Sequence, residues 1–286
     1  MSSPKNRPLP QSLGLPYTGA DSHAHLDDER LLPDLSGMLE RAASSGVSLI
    51  VHMFLQHERY AANRDVILDA ASSLSPAPDI CFVRGLHPED VLTADEEEWE
   101  HLVDAVKNDP LIRAVGEIGL DYHWPEPDRE TQRRGLCAQL ETAIAARLPV
   151  IIHSRDCDGD MLPLLKSFAP RLTAGLVMHC FSSSAELARE YVKLGFYISF
   201  AGPVTFRNAR KGDVIRAVPD ELLLAETDCP YLTPVPHRGE VNYPKYVRYT
   251  IEKLAEERGR TFGEIEELTS RNARRLFAKM NAEEKI

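Results

Sequence analysis

Residues 149–154 read PVIIHS, a short apolar run that leads directly into a histidine. Such a nearly continuous run is typical of a parallel strand that is covered by helices. Similar runs recur along the chain and alternate with longer, helix-compatible stretches such as residues 96–107 and 128–147. Together the runs occupy residues 19–25, 47–55, 80–87, 112–118, 149–154, 176–180, 196–200 and 222–227.

The number of these runs indicates the fold. Eight strand–helix units in about 260 residues match the size of a (β/α)8 TIM barrel, so we expect an α/β chain with a single barrel domain. A doubly wound parallel sheet is the competing architecture, because local patterns do not show whether a sheet closes. We place the barrel at residues 18–280 and interpret the polar, proline-rich residues 1–17 as a flexible N-terminal extension. The S/T-x-x-E spacing predicts helix starts at Ser183 and Thr261.

The composition excludes several other classes of protein. The 286 residues are 43% hydrophobic, and no apolar run approaches the ~18 residues that a membrane-spanning helix needs. The N-terminus lacks the apolar stretch of a secretory signal, and the five cysteines form no C-x-x-C pair, so we expect a cytoplasmic protein without disulfides. The net charge of −11 argues against a nucleic-acid coat protein, but it is compatible with an enzyme that holds phosphate at a local cationic site.

Histidines and carboxylates stand at the carboxyl ends of six of the eight runs. In a barrel these ends meet at one face, where the connecting loops build the active site, whereas a flat sheet would spread them along an edge. These residues can share one site only if the sheet closes, so their pattern favours a barrel over a flat sheet. The residues are His23, His25, His87, Glu117, His153, His179 and Asp228.

The residue types at this face indicate a metal centre. His23 and His25 are two positions apart on a strand, so their side chains point to the same face and can hold one ion together. Without His87, the group contains four imidazoles and two carboxylates. One catalytic zinc usually has three protein ligands, so these six side chains are too many for a single metal. They suit two metals about 3.5–4 Å apart. Glu117 comes from the middle of the strand order and is the expected bridge. The other histidines lack this placement and are expected to be structural or on the surface: His52, His57, His101, His123 and His237.

Nine blocks of the sequence resemble the signature blocks of the TatD metal-dependent hydrolases, a family of amidohydrolase-like barrels. The resemblance covers the chain from about residue 20 to residue 277, with the blocks in the family's order. The blocks are DSHAHLD (21–27), GLHPED (85–90), VGEIGLDY (115–122), LPVIIHSRD (148–156), MHCFSSS (178–184), SFAGPVTFRNA (199–209), ETDCPYLTP (226–234), HRGEVNYP (237–244) and SRNARRLF (270–277).

The resemblance implies a metal-dependent deoxyribonuclease, often a 3′ to 5′ exonuclease, that acts in DNA repair or DNA degradation. Its substrate would be DNA, single-stranded or at 3′ ends, and no membrane or obligate protein partner is expected. Together with the strand-end placement, the resemblance implies two ligand sets. These are His23, His25, Glu117 and Asp228 for one metal, and Glu117, His153 and His179 for the second.

Roles in catalysis follow from the same resemblance. Asp228 would orient the attacking water and accept its proton, and Glu117 would act as the bridging carboxylate. His87 would contact the phosphate, assist the leaving oxygen or orient a ligand. Imidazole-rich sites favour zinc, manganese, nickel or iron in the isolated protein, whereas magnesium or manganese can support activity.

Residues that bind the substrate are expected in the loops after the strands. Arg155 follows the fifth run closely and can make a bidentate contact with phosphate. Arg207 and Asn208 lie just past the seventh run, and Arg238 lies in the proline-rich stretch 229–244. Phe181 follows a ligand-bearing block and could stack on a base.

Three other functions stay open at this point. Related barrels hydrolyse esters, lactones or amides outside nucleic acids and often bridge their metals with a carboxylated lysine. The sequence AVGEIGLDY (114–122) has Glu117 at that position and no lysine, which favours the TatD interpretation. Hydrolysis of misacylated aminoacyl-tRNA is a closer variant. A non-catalytic scaffold is disfavoured, because a structural metal site needs no open coordination position.

Overall fold

The computed structural model describes residues 9–277, and its eight parallel strands form one sheet in the order of the chain. Each strand is followed by at least one helix, so the predicted (β/α)8 barrel is confirmed and the doubly wound sheet is not adopted. The strands are β1 (Gly19–Ala24), β2 (Val47–Phe54), β3 (Asp79–Arg84), β4 (Ile112–Asp121), β5 (Val150–Arg155), β6 (Leu176–Met178), β7 (Tyr197–Phe200) and β8 (Leu223–Ala225).

The helices pack around the sheet and bury most of the apolar side chains between the two layers. A second apolar cluster, on the other face of the strands, includes Val51, Ile151 and Leu224. Leu276 and Phe277, near the end of the last helix, pack into this second cluster. The helices are α1 (Leu35–Ser44), α2 (His57–Ser72), α3 (Glu96–Asn108), α4 (Arg129–Ala146), α5 (Asp158–Phe168), α6 (Ala185–Lys193), α7 (Gly212–Ala217), α8 (Val247–Arg258) and α9 (Phe262–Phe277).

Hydrogen bonds join the first strand to the segment that follows the last strand, and this seam closes the sheet. The carboxylate of Asp21 accepts from the backbone N–H of Thr227 at 2.8 Å and from its hydroxyl at 2.6 Å. The backbone N–H of His25 donates to the carbonyl of Cys229 at 2.8 Å. These bonds bring β1 beside the segment that follows β8, although the two strands are separated by about 200 residues of chain.

Strand β4 is longer than the sequence pattern predicts. The apolar run was expected to end at residue 118, but the strand continues to Asp121 because residues 118–121 pair with residues 152–155 of β5. Gly119 allows this close pairing, since a Cβ at this position would lie 1.9 Å from the carbonyl oxygen of His153. Glu117 therefore lies within the strand rather than at its end.

The two predicted helix starts have different outcomes. Thr261 and Glu264 form a reciprocal capping box, in which the N–H of Thr261 donates to the Glu264 carboxylate at 2.8 Å and the N–H of Glu264 donates to the Thr261 hydroxyl at 3.3 Å. The prediction at Ser183 is wrong by one residue. Ser184 caps α6 instead, and the Ser183 hydroxyl donates to Asp158 at 2.9 Å.

Residues 1–8 of the predicted extension and residues 278–280 of the predicted barrel lie outside the described residues. The predicted bounds of the extension and of the barrel domain therefore stay predictions. Within the described part, the carbonyl of Pro16 accepts from the Arg248 guanidinium at 3.2 Å. Across residues 9–277, no helix combines the length and the apolar character needed to cross a membrane.

Candidate metal centre

A cleft of about 740 Å³ opens at the carboxyl end of the barrel. Six of the seven predicted site residues line it, and His23 lies fully buried beneath its floor. The structure therefore brings all seven to one place. The six lining residues are His25, His87, Glu117, His153, His179 and Asp228.

Glu117 stands at the centre of this group, and its two carboxylate oxygens face different histidines. Oε2 lies 3.3 Å from Nε2 of His23 and 3.8 Å from Nε2 of His25. Oε1 lies 2.6 Å from Nε2 of His179 and 2.7 Å from Nδ1 of His153. One carboxylate is thus shared between two pairs of imidazoles.

Asp228 completes the side that contains the H-x-H pair. Its Oδ1 lies 3.3 Å from Nε2 of His25 and 3.6 Å from Nε2 of His23. The backbone N–H of Asp228 donates to the carbonyl of His23 at 2.9 Å, and its φ of +59° turns the chain sharply after β8. The seam between β1 and β8 therefore sets the position of this carboxylate.

His87 lies at the edge of the centre. Its Nε2 is 3.8 Å from Oε1 of Glu117, and its ring packs edge-on against His153 with the centroids 4.5 Å apart. Burial lowers the pKa of His87 to about 4, which makes the imidazole neutral at pH 7. A neutral ring in this position can donate or accept one hydrogen bond at the cleft.

Two further carboxylates, which were not predicted from the sequence, contact ring nitrogens of His153 and His179. Asp121 Oδ2 lies 3.0 Å from Nε2 of His153, on the side of the ring opposite to Glu117. Glu226 Oε1 lies 3.4 Å from Nδ1 of His179 and accepts from the N–H of Cys180 at 2.6 Å. Such partners fix the orientation of a metal-ligating imidazole.

A signal for both residues exists in the sequence. Glu117 and Asp121 are four positions apart on one strand and therefore share a face. Glu226 precedes Asp228 by two positions in the same block.

Burial and charge oppose each other at the shared carboxylate. Burial raises the pKa of Glu117, but the imidazoles of His179 and His23 outweigh this effect and hold the pKa well below its ordinary value. Conversely, burial lowers the pKa of His179, but the Glu117 carboxylate raises it well above its ordinary value. The Glu117 carboxylate and the His179 imidazole thus stabilise each other's charged forms.

The comparisons with known proteins agree with this geometry. The sequence profile of the family described as TatD-related DNase matches residues 20–278. This chain belongs to the TatD-related DNase family. YabD of Bacillus subtilis strain 168, named an uncharacterized metal-dependent hydrolase, is 40% identical over 258 residues, which are 90% of this chain and 98% of YabD. The crystal structure of YjjV, a TatD homologue from Escherichia coli K12, superposes with a TM-score of 0.81 at 32% identity and covers 91% of this chain and 98% of YjjV.

A second TatD relative has a similar extent of likeness. TatD of Mycobacterium tuberculosis H37Rv, also named an uncharacterized metal-dependent hydrolase, is 37% identical over 273 residues, covering 90% of this chain and 97% of the relative. The resemblance to the TatD family that the sequence blocks indicate is therefore confirmed.

The donor atoms of this TatD-related site fit divalent ions. The Nε2 atoms of His23 and His25 lie 3.2 Å apart and face the same two carboxylates, an arrangement that a shared cation would stabilise. Imidazole with carboxylate is a donor set typical of zinc, manganese, iron or nickel. Within residues 9–277, three groups of side chains each have potential ligand atoms within 4.8 Å of one another: His23, His25 and Glu117; His87, Glu117 and His153; His23, His179 and Glu226.

The residues predicted to bind substrate divide between two cavities. Arg155 is exposed and lines the cleft, with its Nη1 3.9 Å from Asp121. Arg207, Asn208 and Arg238 instead line a neighbouring cavity of about 360 Å³, together with Phe181. Sequence reasoning placed all of them at one mouth, because local patterns do not give the paths of the loops.

The five remaining histidines are not part of the TatD-related centre. His52 lies beneath it, where its Nδ1 accepts from the N–H of Leu26 at 3.0 Å. His57 and His101 stack on each other with centroids 3.6 Å apart, and His237 stacks on Tyr246. His123 is exposed and lies 3.4 Å from Asp156.

Proposed function

We propose that this chain is a metal-dependent phosphodiesterase that acts on DNA and removes nucleotides from the 3′ end. The observation that carries the proposal is the position of Glu117, whose two carboxylate oxygens face separate pairs of imidazoles at the mouth of a barrel. Such a carboxylate suits two divalent ions about 3.5–4 Å apart. Membership of a family described as DNases, with relatives named metal-dependent hydrolases, supports hydrolysis as the reaction class.

The residues on the two sides of Glu117 form the two proposed ligand sets. Bound divalent ions supply positive charge to a phosphate and make a water acidic enough to act near neutral pH. One set is His23, His25, Glu117 and Asp228, and the other is Glu117, His153 and His179.

Other roles fall to side chains at the cleft surface. Asp228 lines the cleft, and we assign to it the orientation of the attacking water and the acceptance of its proton. His87 is neutral at pH 7 and can hydrogen-bond a phosphate oxygen or the leaving oxygen. Arg155 supplies a planar guanidinium at the rim that can bind phosphate through two parallel hydrogen bonds.

Nuclease assays with end-labelled single-stranded DNA test this proposal. Wild type and Glu117→Ala are compared on 3′-labelled and 5′-labelled strands, with EDTA, Mg²⁺, Mn²⁺ or Zn²⁺, and the metal content of both proteins is assayed. Wild type should release the 3′ label as mononucleotide only when metal is present, and Glu117→Ala should lose both the metal and the cleavage. Glu97→Ala, on the exposed face of α3, is the matched control and should behave as wild type.

The outcomes separate the competing functions. Early release of the 5′ label would keep the nuclease but reverse its direction. Metal bound without cleavage of DNA would overturn the nuclease and direct the search to esters, lactones and aminoacyl-tRNA. A wild type that binds no metal would overturn the metal centre itself.

A further inference from the structure

A second cavity adjoins the metal cleft on the side of β6 and β7. It measures about 360 Å³, within the range of pockets that bind small organic ligands. Cys180, Ser182 and Pro203 line both cavities and form a common wall. A ligand that has one chemical group bound in the cleft can therefore place a neighbouring chemical group in this second cavity.

The second cavity has an apolar, aromatic lining. Phe181, in the loop after β6, is buried, and Val204 and Phe206, in the segment after β7, face the same space. Apolar walls with two aromatic rings favour a flat ring system over a phosphate or a sugar. Asn208 and Ser182 lie at the same cavity and offer hydrogen-bonding groups for the edge of such a ring.

The loops that form this cavity are held together and carry positive charge. The guanidinium of Arg238 lies over the ring of Phe206, 4.4 Å from its centroid. The ammonium of Lys211 donates to the carbonyls of Ser182 and Ser183 and joins the loop after β6 to the start of α7. An arginine that already lies on an aromatic ring presents a second flat surface on which a base can stack.

Charge is distributed unevenly around the two cavities. The loops after β1 and β3 bring Asp27, Asp28, Glu89 and Asp90 to the cleft, where Arg59 lies 3.8 Å from Asp27 and Arg30 lies 2.7 Å from Asp28. The second cavity has Arg207 and Arg238 in its lining. Arg59 and Arg155 also line the cleft and offer cationic contacts to the phosphates of the rest of the strand.

We infer that the second cavity binds the unpaired terminal base of a DNA strand, while the phosphate next to it lies at the metal cleft. This inference rests on the proposed phosphodiesterase function and adds a pocket for the base of the nucleotide that is removed. A base that is paired in a duplex is not free to enter the cavity, so the pocket selects frayed or single-stranded 3′ ends.

Binding of a fluorescent base tests the inference without any turnover. A single-stranded oligonucleotide with 2-aminopurine at its 3′ end, and with a phosphorothioate as its last linkage to keep the strand intact, is titrated with the wild-type protein in Mg²⁺. Stacking in the cavity should quench the 2-aminopurine. Adding Phe206→Ala should weaken binding about tenfold or more and remove most of the quenching, because stacking on an aromatic ring contributes strongly to binding of each base.

The matched control is Phe168→Ala. Phe168 is another partly buried phenylalanine with an arginine near its ring, since the Arg171 guanidinium lies 5.8 Å from its centroid, but it is at the end of α5. This variant should quench and bind as its parent does. Ala209→Trp, which fills the cavity without removing an aromatic ring, is the second test variant and should block quenching as Phe206→Ala does.

A kinetic comparison separates the two proposals. In the wild-type background, kcat/KM for a natural 3′ end should exceed that for an abasic 3′ end at least about tenfold, and Phe206→Ala should bring the ratio close to one. Cleavage of DNA with no preference for the base would overturn the pocket and leave the nuclease. Quenching that depends on Phe206, without cleavage by wild type, would overturn the nuclease and leave the pocket. Quenching that is equal in wild-type and Phe206→Ala cavities would overturn the pocket.

Discussion

Asp121 and Glu117 hold His153 from opposite sides of its ring. Glu117 lies 2.7 Å from Nδ1 and Asp121 lies 3.0 Å from Nε2. Because Asp121 is buried, it has little freedom to release the ring. The carboxylate therefore keeps the proton on Nε2 and leaves Nδ1 to face the centre of the site.

Replacing this carboxylate by an amide should weaken the metal site. We expect Asp121→Asn to lower the affinity for zinc by about 10- to 100-fold, because the amide is a weaker acceptor and no longer fixes the ring. Competition with a chromophoric chelator measures the affinity. Asp160→Asn is the control, since Asp160 is an exposed carboxylate that accepts from the hydroxyl of Tyr122 at 2.9 Å. Zinc affinities that are equal in Asp121→Asn and wild type would contradict the role of Asp121.

The sequence predicted those residues of the centre whose positions follow from the order of the strands. His23, His153 and Glu117 follow from apolar runs whose ends must meet in a barrel. Asp121 and Glu226 were not predicted, because their contacts depend on the length of β4 and on the turn after β8 rather than on residue type. The grouping of Arg207 with Asn208 was visible in the sequence, but its place at a second cavity depends on the course of a loop.

At the scale of elements, the pairing of β4 with β5 positions the proposed metal centre. Gly119 pairs with His153, so the backbone of one strand lies directly against the residue that carries a proposed ligand. The sequence pattern located both strands but ended β4 three residues early, because Gly119 and Asp121 interrupt the apolar run. A glycine was needed there for close packing, and a hydrophobicity pattern contains no such information.

A methyl group at this glycine should disturb both the fold and the site. We expect Gly119→Ala to lower the free energy of unfolding by about 1–3 kcal/mol or more, since its Cβ would lie 1.9 Å from the His153 carbonyl oxygen. Zinc affinity should fall as well, because the strand that carries His153 must shift. Urea unfolding and chelator competition measure the two effects.

Gly159 in α5 is the matched control, because a Cβ there meets no atom within 4 Å. Gly159→Ala should stabilise the protein by roughly 0.5–1 kcal/mol, as alanine favours a helix over glycine. A Gly119→Ala protein as stable as wild type would show that β4 and β5 can separate without cost.

At the scale of the whole molecule, a buried carboxyl group contributes to the seam that closes the barrel. Asp21 accepts from the backbone and hydroxyl of Thr227 across the seam. Burial raises the pKa of Asp21 to about 8, despite the hydrogen bonds from Thr227 that lower it. In the unfolded chain this carboxyl has an ordinary aspartate pKa of about 3.9.

The stability of the barrel should therefore depend on pH through Asp21. Its contribution is fully present below the unfolded pKa and is lost as the pH rises from about 4 through the folded value of about 8, because the unfolded chain releases the proton first. We expect Asp21→Asn, which cannot lose that proton, to gain stability relative to wild type between pH 5 and pH 8. Urea unfolding of the EDTA-treated proteins at the two pH values measures the change.

Asp69→Asn, at an exposed position of α2, serves as the control and should shift equally at both pH values. If the difference between Asp21→Asn and wild type is also the same at pH 5 and pH 8, the seam carboxyl does not titrate in this range.

The seam also has a consequence for the synthesis of the protein on the ribosome. β1 is made first, yet the partner of its free edge follows β8, and the two segments are joined by bonds such as that between His25 and Cys229. At about 5–20 residues per second, roughly 10 to 40 s of translation separate them. During that interval the edge of β1 is open to other chains. The first strand is therefore exposed to pairing with other chains until the segment after β8 has been made.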